Sequence, residues 1–417
     1  MIDYHIVKYD SYRNAIYFPT RVASGLLPDF AAAIETWRLR RRPYPLRLDF
    51  SQVTKAFANG MLGVIAITAE LRRQGVKLEI VMPHHKDASR FFHTCGWAHL
   101  LNPSSNNGFK PNRKHYVQPF DTFQEIPTVT ANFMDIIMGH IHMPKDVLAA
   151  LEWSITEICD NVVNHAESKI GGYLQVIAYP QNGLVAFTVA DAGKGILQSL
   201  KEGLPNLTSD IDAIREAIKA GVTRNKDAGQ GNGLAGSCRI ALMTGGSLDI
   251  LSGSGRLLLR ADSLSQPNEY LSRQNYQGTC ISGQIKMSHT FSVLDALSFG
   301  GKSFMPSTVV DLNYEREEEE ALDIRITERL EGAGTRSAGK ELRLLLQNLL
   351  NAKPGFPIYL DWTGVTIIAS SFADEFLGKL YVELGERVFD ASIRHTKMAQ
   401  IVEHIIKKAI SERLSTG

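Results

Sequence analysis

The sequence predicts an α/β protein in which a central α/β sandwich with a mixed sheet is flanked by two smaller α/β domains. Strand-like and helix-like segments alternate near both ends of the chain. The middle holds a long helical region, then a hairpin, a glycine-punctuated stretch and further strands, which is typical of a layered α/β domain. At 417 residues the chain is also too long for one ordinary core.

The first hundred residues contain a strand, helix, strand unit. LRLDFSQV at 46–53 and KLEIVMP at 77–83 have the composition of strands. Between them, GMLGVIAITAELRRQG has apolar residues at helical spacing and ends in Gly75, a candidate C-cap. Because a helix joins the two strands, we expect them to be parallel neighbours.

The central region begins with helices between about Val129 and His165, broken near Pro144. The strands YLQVIAYP and GLVAFTVAD follow, and the Gln-Asn-Gly between them predicts a hairpin. The further predicted strands are GSLDILSG, RLLLRAD and GTCISGQIKM.

The C-terminal region repeats the pattern of the first. A helix is predicted at 337–351, PIYLDWTGV reads as a strand, and ASSFADEFLGKLYVELG reads as the helix after it. The likeness of LDFSQV to LDWTGV, each followed by a helix, predicts two related flanking domains. The predicted boundaries are a first domain at 1–103, a linker at 104–125, a central domain at 126–290, a linker at 291–325 and a last domain at 326–417.

Composition narrows the function classes. The 45 Lys and Arg residues nearly balance the 44 Asp and Glu residues, so no overall field draws the chain to nucleic acid or to an anionic membrane. The four cysteines are widely separated and encode neither a zinc site nor a disulfide framework. With no secretory signal and no run of about 18 apolar residues, we expect a cytoplasmic protein that does not span a membrane, and nothing in the composition indicates nucleic-acid binding.

The helix containing EICDNVVNH carries the first candidate site. Glu157 and Asn161 are four residues apart and share one face, which Asn164 and His165 extend. A carboxylate there can deprotonate a nucleophile, and an amide oxygen can hold Mg²⁺, which prefers oxygen ligands. An ordinary polar helix face is the alternative.

The second candidate is DAGKGI, directly after a predicted strand. Asp191 can accept a hydrogen bond from an exocyclic amine, while Gly193 and Gly195 let a flat base approach the backbone. An ordinary Asp-containing turn is the alternative.

The third candidate is GQGNGLAG, in which Gly229, Gly231 and Gly233 lead into the apolar helix LAGSCRIALMTG. Such glycines free backbone N–H groups to surround phosphate oxygens at a helix N-terminus. The segment also matches a dinucleotide-binding pattern, but that pattern requires a strand just before it, and AIREAIKAGVTRN reads as helical. GGKS at 300–303 lacks the upstream glycine of a phosphate-binding loop.

Together with Gly278 and Thr279 in YQGTCISGQI, the order of these motifs over 126–290 resembles the GHKL superfamily of gyrase, heat-shock chaperone, histidine kinase and MutL ATP-binding domains, which share the Bergerat fold. The resemblance implies that this domain binds ATP and Mg²⁺. It assigns the adenine amino group to Asp191 and Thr279, Mg²⁺ to Asn161, and a mobile lid to 197–228. The further nucleotide-binding residues it implies are Asn164, His165, Gly193, Gly195, Gly229, Gly231, Gly233 and Leu234.

Glu157 stands where superfamily members that hydrolyse ATP, and the anti-sigma-factor serine kinases, carry their general base. Both flanking regions resemble STAS domains, the anti-sigma-factor-antagonist fold, in whose phosphorylatable members a serine opens the helix after the LDW-like strand. Ser370 or Ser371 matches that serine, with helix capping as the alternative, whereas the first domain has Asn59 there. We therefore expect an ATP-binding regulatory switch acting through STAS-like domains or a regulatory partner, with serine kinase activity as one version. The competing hypothesis is an ATP-hydrolysing clamp that works as a homodimer.

Overall fold

The computed structural model describes residues 6–40, 44–103, 116–219, 232–263, 267–287, 291–316, 319–329 and 335–416. The chain divides into two compact units, one made of Met1–Thr130 with Trp153–Met305 and the other of Ala131–Glu152 with Pro306–Gly417. Both units combine helices with β-sheet, as expected of an α/β protein.

The N-terminal layer of the first unit, residues 6–103, holds a small mixed sheet. Its strand order is β1-β2-β4-β6, with β2, β4 and β6 parallel and β1 antiparallel to β2. The predicted strand, helix, strand unit is confirmed as β4, α2 and β6. Its elements are β1 (Lys8–Asp10), β2 (Ala15–Tyr17), β3 (Arg21–Val22), α1 (Leu27–Leu39), β4 (Leu46–Asp49), β5 (Lys55–Ala56), α2 (Ala58–Arg73), β6 (Leu78–Val81), α3 (Lys86–Thr94) and α4 (Trp97–Leu101).

The chain continues through the elements of a larger sheet and its helices. These are β7 (Gln118–Phe120), α5 (Glu125–Met138), α6 (Lys145–Asn161), β8 (Gly172–Tyr179), β9 (Leu184–Asp191), α7 (Gly195–Leu200), α8 (Asp210–Ala217), α9 (Gly233–Met243), β10 (Ser247–Arg260), β11 (Asn268–Lys286), α10 (Val293–Ala296), β12 (Ser298–Phe299) and β13 (Lys302–Ser303). The larger sheet, called here the central sheet, has the order β10-β11-β9-β8-β7. A π-helical turn at Val162–Ala166 extends α6.

The predicted hairpin is confirmed as β8 and β9, which pair antiparallel. The mixed character expected of the central sheet is wrong, because its recorded strand pairs are all antiparallel. The reason is that β10 and β11 form a second hairpin, which joins the first one edge to edge through β11 and β9. GSLDILSG and RLLLRAD, expected as two strands, form the single strand β10, which is irregular around Gly253.

One hydrophobic core joins the N-terminal layer to the central sheet. Helix α2 packs against β9, β8 and β11, and Tyr173, Leu251 and Tyr276 share a core with residues of 7–101. Trp97 donates its indole N–H to Gln175 Oε1 on β8 at 2.9 Å, which pairs two buried polar groups at this contact. The first unit is therefore two layers packed face to face.

The second unit is built around the parallel sheet β14-β15-β16. Its elements are α11 (Val309–Asn313), β14 (Leu322–Arg325), α12 (Ile326–Arg329), α13 (Arg336–Ala352), β15 (Ile358–Asp361), α14 (Ser370–Ala373), α15 (Lys379–Leu384), α16 (Glu386–Ser392), β16 (Ile393–Thr396) and α17 (Gln400–Thr416), with a π-helical turn at Asp374–Gly378 between α14 and α15. Residues 131–152, which run from the second part of α5 into the first part of α6, also belong to this unit. The region 291–325, expected as a linker, contains α10, the β12–β13 hairpin, α11 and β14.

Candidate functional site

A cavity of about 560 Å³, called here the central cavity, lies within the first unit and is lined by residues from several separate stretches of the chain between Trp153 and Phe304. Its volume is within the range of about 300 to 1,000 Å³ that is usual for small-molecule sites. The predicted site residues that line it are Glu157, Asn161, Asn164, His165, Asp191, Gly195, Gly233, Leu234 and Thr279.

The other predicted site residues fall elsewhere. Gly193 lines a neighbouring cavity of about 540 Å³. Gly229 and Gly231 lie outside the described residues. Ser370 and Ser371 belong to the second unit.

Helix α6 brings Glu157 to the central cavity. The side chain is half-buried, and within the described residues its carboxylate has neither a hydrogen-bond donor nor a cation as partner. Burial, followed by the nearby Asp160 carboxylate, raises the pKa of Glu157 to about 7, because both disfavour the charged form. A carboxyl group whose pKa lies near neutrality is suited to accept a proton during a reaction.

The C-terminal end of α6 places amide and imidazole groups on the same wall. Asn161 is the last residue of α6, and the π-helical turn that follows carries Asn164 and His165 to the cavity. The turn ends at Glu167, whose backbone is left-handed with a φ of 52°. Such π-helical turns within helices often occur at functional sites because they redirect side chains.

Strand β9 ends at Asp191, which is 1% exposed and lines the central cavity. The backbone N–H of Gly193 donates to Asp191 Oδ1 at 2.7 Å. Burial raises the pKa of Asp191 to about 7, although the N–H groups of Gly193 and Thr279 oppose that rise by stabilising the carboxylate. Thr279, on β11, lies beside it, with its hydroxyl 3.2 Å from Ser252 Oγ.

Helix α9 lies so close to α6 that an added Cβ at two of its glycines would meet side chains of α6. A Cβ at Gly233 would lie 2.3 Å from Glu157 Oε2, and a Cβ at Gly236 would lie 2.3 Å from Cη2 of Trp153. The first residues of α9 therefore lie directly against the Glu157 carboxylate. Because the first N–H groups of a helix have no partner within the helix, this wall is suited to an anionic ligand.

Sequence reasoning missed part of the cavity wall. The β12–β13 hairpin lies in the region expected as a linker, and it contributes Phe299, Ser303 and Phe304. Trp153, one helical turn before Glu157, and Leu297 complete an apolar wall. The signal that could have revealed the hairpin is the Gly-Gly pair at 300–301, since two adjacent glycines are typical of tight β-turns.

The charge of the central cavity is acidic where it is described. The lining includes the carboxyl groups of Glu157, Asp160 and Asp191 together with His165, and within the described residues it includes no Lys or Arg. Across the same described residues, no group of three or more His, Cys, Asp or Glu side chains is arranged to hold a metal ion. The described carboxyl groups would repel a polyphosphate, and a divalent cation bound to the phosphates would offset that repulsion.

In the second unit, Ser370 is exposed and is the first residue of α14. The alternative interpretation of Ser370 or Ser371 as a helix cap is wrong, because the helix starts at Ser370 and its N-cap is Ala369, without a side-chain hydrogen bond. Ser371 is half-buried. Neither hydroxyl group therefore caps α14.

Within the described ranges, no helix is both long and apolar enough to cross a membrane. Comparison with curated proteins gave no match. Comparison with protein families gave a match over residues 338–403, from α13 into α17, to a STAS-like domain of unknown function (DUF4325). The C-terminal part of the chain therefore contains a STAS-like domain.

Proposed function

We propose that the central cavity binds ATP with Mg²⁺ and that the chain is an ATP-dependent regulatory switch related to the GHKL proteins, with a Bergerat-type fold in its first unit. The observation that carries the proposal is the meeting of three motifs, distant in sequence, around one cavity: the α6 face, the end of β9 and the start of α9. Polar residues without a common function would not be expected to line one cavity from three distant motifs.

The adenine end of the site would be formed by Asp191 and Thr279. The Asp191 carboxylate, buried at the strand end, can accept a hydrogen bond from the exocyclic amine of adenine. Gly195, which also lines the cavity, leaves room for the flat ring. A carboxylate disfavours the carbonyl oxygen that guanine carries at the same ring position, so this end would select ATP over GTP.

The phosphate end would be formed by the start of α9 and the end of α6. Gly233 and Leu234 present backbone N–H groups at a helix N-terminus, and Asn161 offers an amide oxygen to Mg²⁺. The acidic lining makes the divalent ion necessary, because it offsets repulsion between the triphosphate and Glu157. Mg²⁺ commonly combines one or two protein oxygens with phosphate oxygens and water, which agrees with the single amide ligand proposed here.

Glu157 would act as the general base. Its carboxylate lies against the first residue of α9, next to the proposed phosphate position, and has no partner among the described residues. There it can take a proton from a hydroxyl group or from water as either attacks phosphorus. The attacking group decides whether the protein is a serine kinase or an ATPase.

The domains at the two ends of the sequence suggest what the switch controls. The C-terminal STAS-like domain carries the exposed Ser370. The N-terminal layer contains a parallel strand, helix, strand unit, and we propose that this layer is STAS-like as well. In the kinase version, phosphate goes to a serine such as Ser370 or Ser371 or to a STAS partner protein. In the competing version, Glu157 activates water and the protein works as a dimeric clamp.

Incubation with Mg²⁺ and ATP labelled on the γ-phosphate tests the proposal. The kinase version predicts label on protein, the clamp version predicts free phosphate, and tight ATP binding with neither product would leave only a regulatory binding site. Glu157→Gln should keep ATP binding and abolish both products. If equilibrium dialysis detects no ATP binding to the wild-type chain, the proposed function is wrong.

A further inference from the structure

The β12–β13 hairpin has a fixed geometry that its sequence explains. Ser298 pairs with Ser303 and Phe299 pairs with Lys302, with a two-residue turn between the strands. Gly300 and Gly301 have φ values of 57° and 77°, and two positive φ values in succession are what a tight hairpin turn needs. The GGKS segment is therefore a hairpin, and its serine lies on the second strand.

The hairpin is fastened to α9, the helix whose first residues border Glu157. The Arg239 guanidinium donates to the backbone carbonyl of Ser298 at 2.6 Å and to that of Asp295 at 2.6 Å. The same guanidinium lies 5.0 Å from the centre of the Phe299 ring. These contacts hold the hairpin where Phe299, Ser303 and Phe304 form part of the cavity wall.

The described lining of the cavity contains three hydroxyl groups, and they differ in access. Ser199 is 7% exposed. The hydroxyl of Thr279 is 3.2 Å from Ser252 Oγ, at the adenine end of the proposed site. Ser303 is exposed, lies on the hairpin and lines the same cavity as Glu157. Of the three, Ser303 has the free approach that a phosphoacceptor needs.

We infer that Ser303 is a phosphorylation site served by the central cavity of its own chain, an inference that rests on the proposed ATP binding. The Ser303 oxygen would attack the γ-phosphorus while its proton passes to the Glu157 carboxylate. An oxygen–phosphorus bond forms to Ser303, the bond from the γ-phosphorus to the β,γ-bridging oxygen breaks, and ADP leaves with that oxygen.

Phosphorylation would act back on the site. A phosphoserine carries about 1.5 to 2 negative charges and would stand on the wall of a cavity that is already acidic. Repulsion between this group and an incoming triphosphate would weaken ATP binding, so the reaction would limit itself. The switch would then have two covalent states without any partner protein.

The test uses the full-length chain with Mg²⁺ and γ-labelled ATP, and peptide mass spectrometry locates the phosphate. We expect label on the peptide that contains Ser303, at a rate independent of protein concentration because the transfer is within one chain. Ser303→Ala should lose at least about nine-tenths of the label, and Ser303→Thr should restore part of it. The matched control is Ser307→Ala, since Ser307 is also exposed but does not line the cavity, and it should label like the wild type.

ATP binding, measured separately by equilibrium dialysis, distinguishes the two possible failures. If every variant binds ATP but the label stays on Ser303→Ala or appears only on Ser370 or Ser371, the inference is wrong and the proposed function stands. Release of free phosphate with no labelled protein also overturns the inference and favours the clamp. Absence of ATP binding overturns both.

Discussion

Gly233 and Glu157 lie so close that a Cβ on the glycine would be 2.3 Å from a carboxylate oxygen and 3.3 Å from Cβ of the glutamate. The two residues belong to different helices, α9 and α6, separated by more than 70 positions in the sequence. Their contact brings the proposed general base to the proposed phosphate-binding helix. The contact can therefore be tested by changing either the glycine or the ionisation of the glutamate.

Gly233→Ala should impair turnover more than stability. The new methyl group must displace the Glu157 carboxylate, which is the end of a flexible side chain, while the backbone of α9 keeps its φ. We expect phosphate transfer or release to fall at least about tenfold, or about 1.4 kcal/mol in barrier, with a small change in melting temperature. Gly25→Ala is the control, because its Cβ would meet only Arg256 Nη1 at 3.7 Å. Equal losses in both variants would contradict a specific role for the contact.

The rate of the reaction should rise with pH through neutrality. A general base acts in its ionised form, and burial together with Asp160 raises the pKa of Glu157 to about 7. The rate at saturating ATP should therefore be low at pH 5.5, increase through about pH 7 and level off above it. Asp160→Asn removes the neighbouring charge and should move the midpoint to lower pH. A profile that is flat from pH 5.5 to 8.5 would rule out Glu157 as a base that limits the rate.

Asp191→Asn should weaken ATP binding but relieve a pH-dependent loss of stability. Burial raises the pKa of Asp191 to about 7, so between about pH 4 and pH 7 the folded chain holds a proton that the unfolded chain has released. Stability therefore falls as pH rises across this window. Urea unfolding at pH 5 and pH 7.5 should show a smaller loss in the Asn variant than in the wild type. A steeper loss in the variant would contradict the raised pKa.

Asp249→Ala should destabilise the contact between the N-terminal layer and the central sheet. Asp249 accepts hydrogen bonds from Arg256 Nε at 2.8 Å and from Ser24 Oγ at 2.8 Å, and the residue is 9% exposed. Removing the carboxylate leaves the Arg256 guanidinium largely buried without its partner, which costs about 3 to 5 kcal/mol in typical cases. Arg90→Ala, which breaks a fully exposed pair with Asp87, should cost less than about 1 kcal/mol in the same urea assay.

The parts of the site that the sequence predicted are those encoded locally. The spacing of Glu157 and Asn161 fixes their shared face once the segment is helical, and a buried strand that runs into Asp191 fixes a carboxylate at the strand end. The hairpin turn and the parallel β4 and β6 strands were predictable for the same reason. Each of these signals lies within about 30 residues.

The parts that were missed depend on contacts between distant segments. Trp153 reads as one apolar residue in a helix, and only the crossing with Gly236 on α9 shows that it forms a cavity wall. The hairpin that carries Ser303 is held through its Ser298 carbonyl by Arg239, which lies more than 60 residues before Ser303 in the chain. The antiparallel central sheet was missed because pairing between β9 and β11 is decided by packing against neighbouring elements, not by either strand's own sequence.

Because α2 and the central sheet share one core, unfolding of the N-terminal layer is coupled to ligand binding in the cavity. No described residue of 6–103 lines that cavity, yet Tyr276, fully buried in the shared core, reaches toward both the Asp191 and the Gly63 backbone carbonyls. A ligand that binds only the folded first unit must therefore raise the melting temperature of both layers together. Proteolysis at the far end of the N-terminal layer would then report occupancy of a site that this layer never touches.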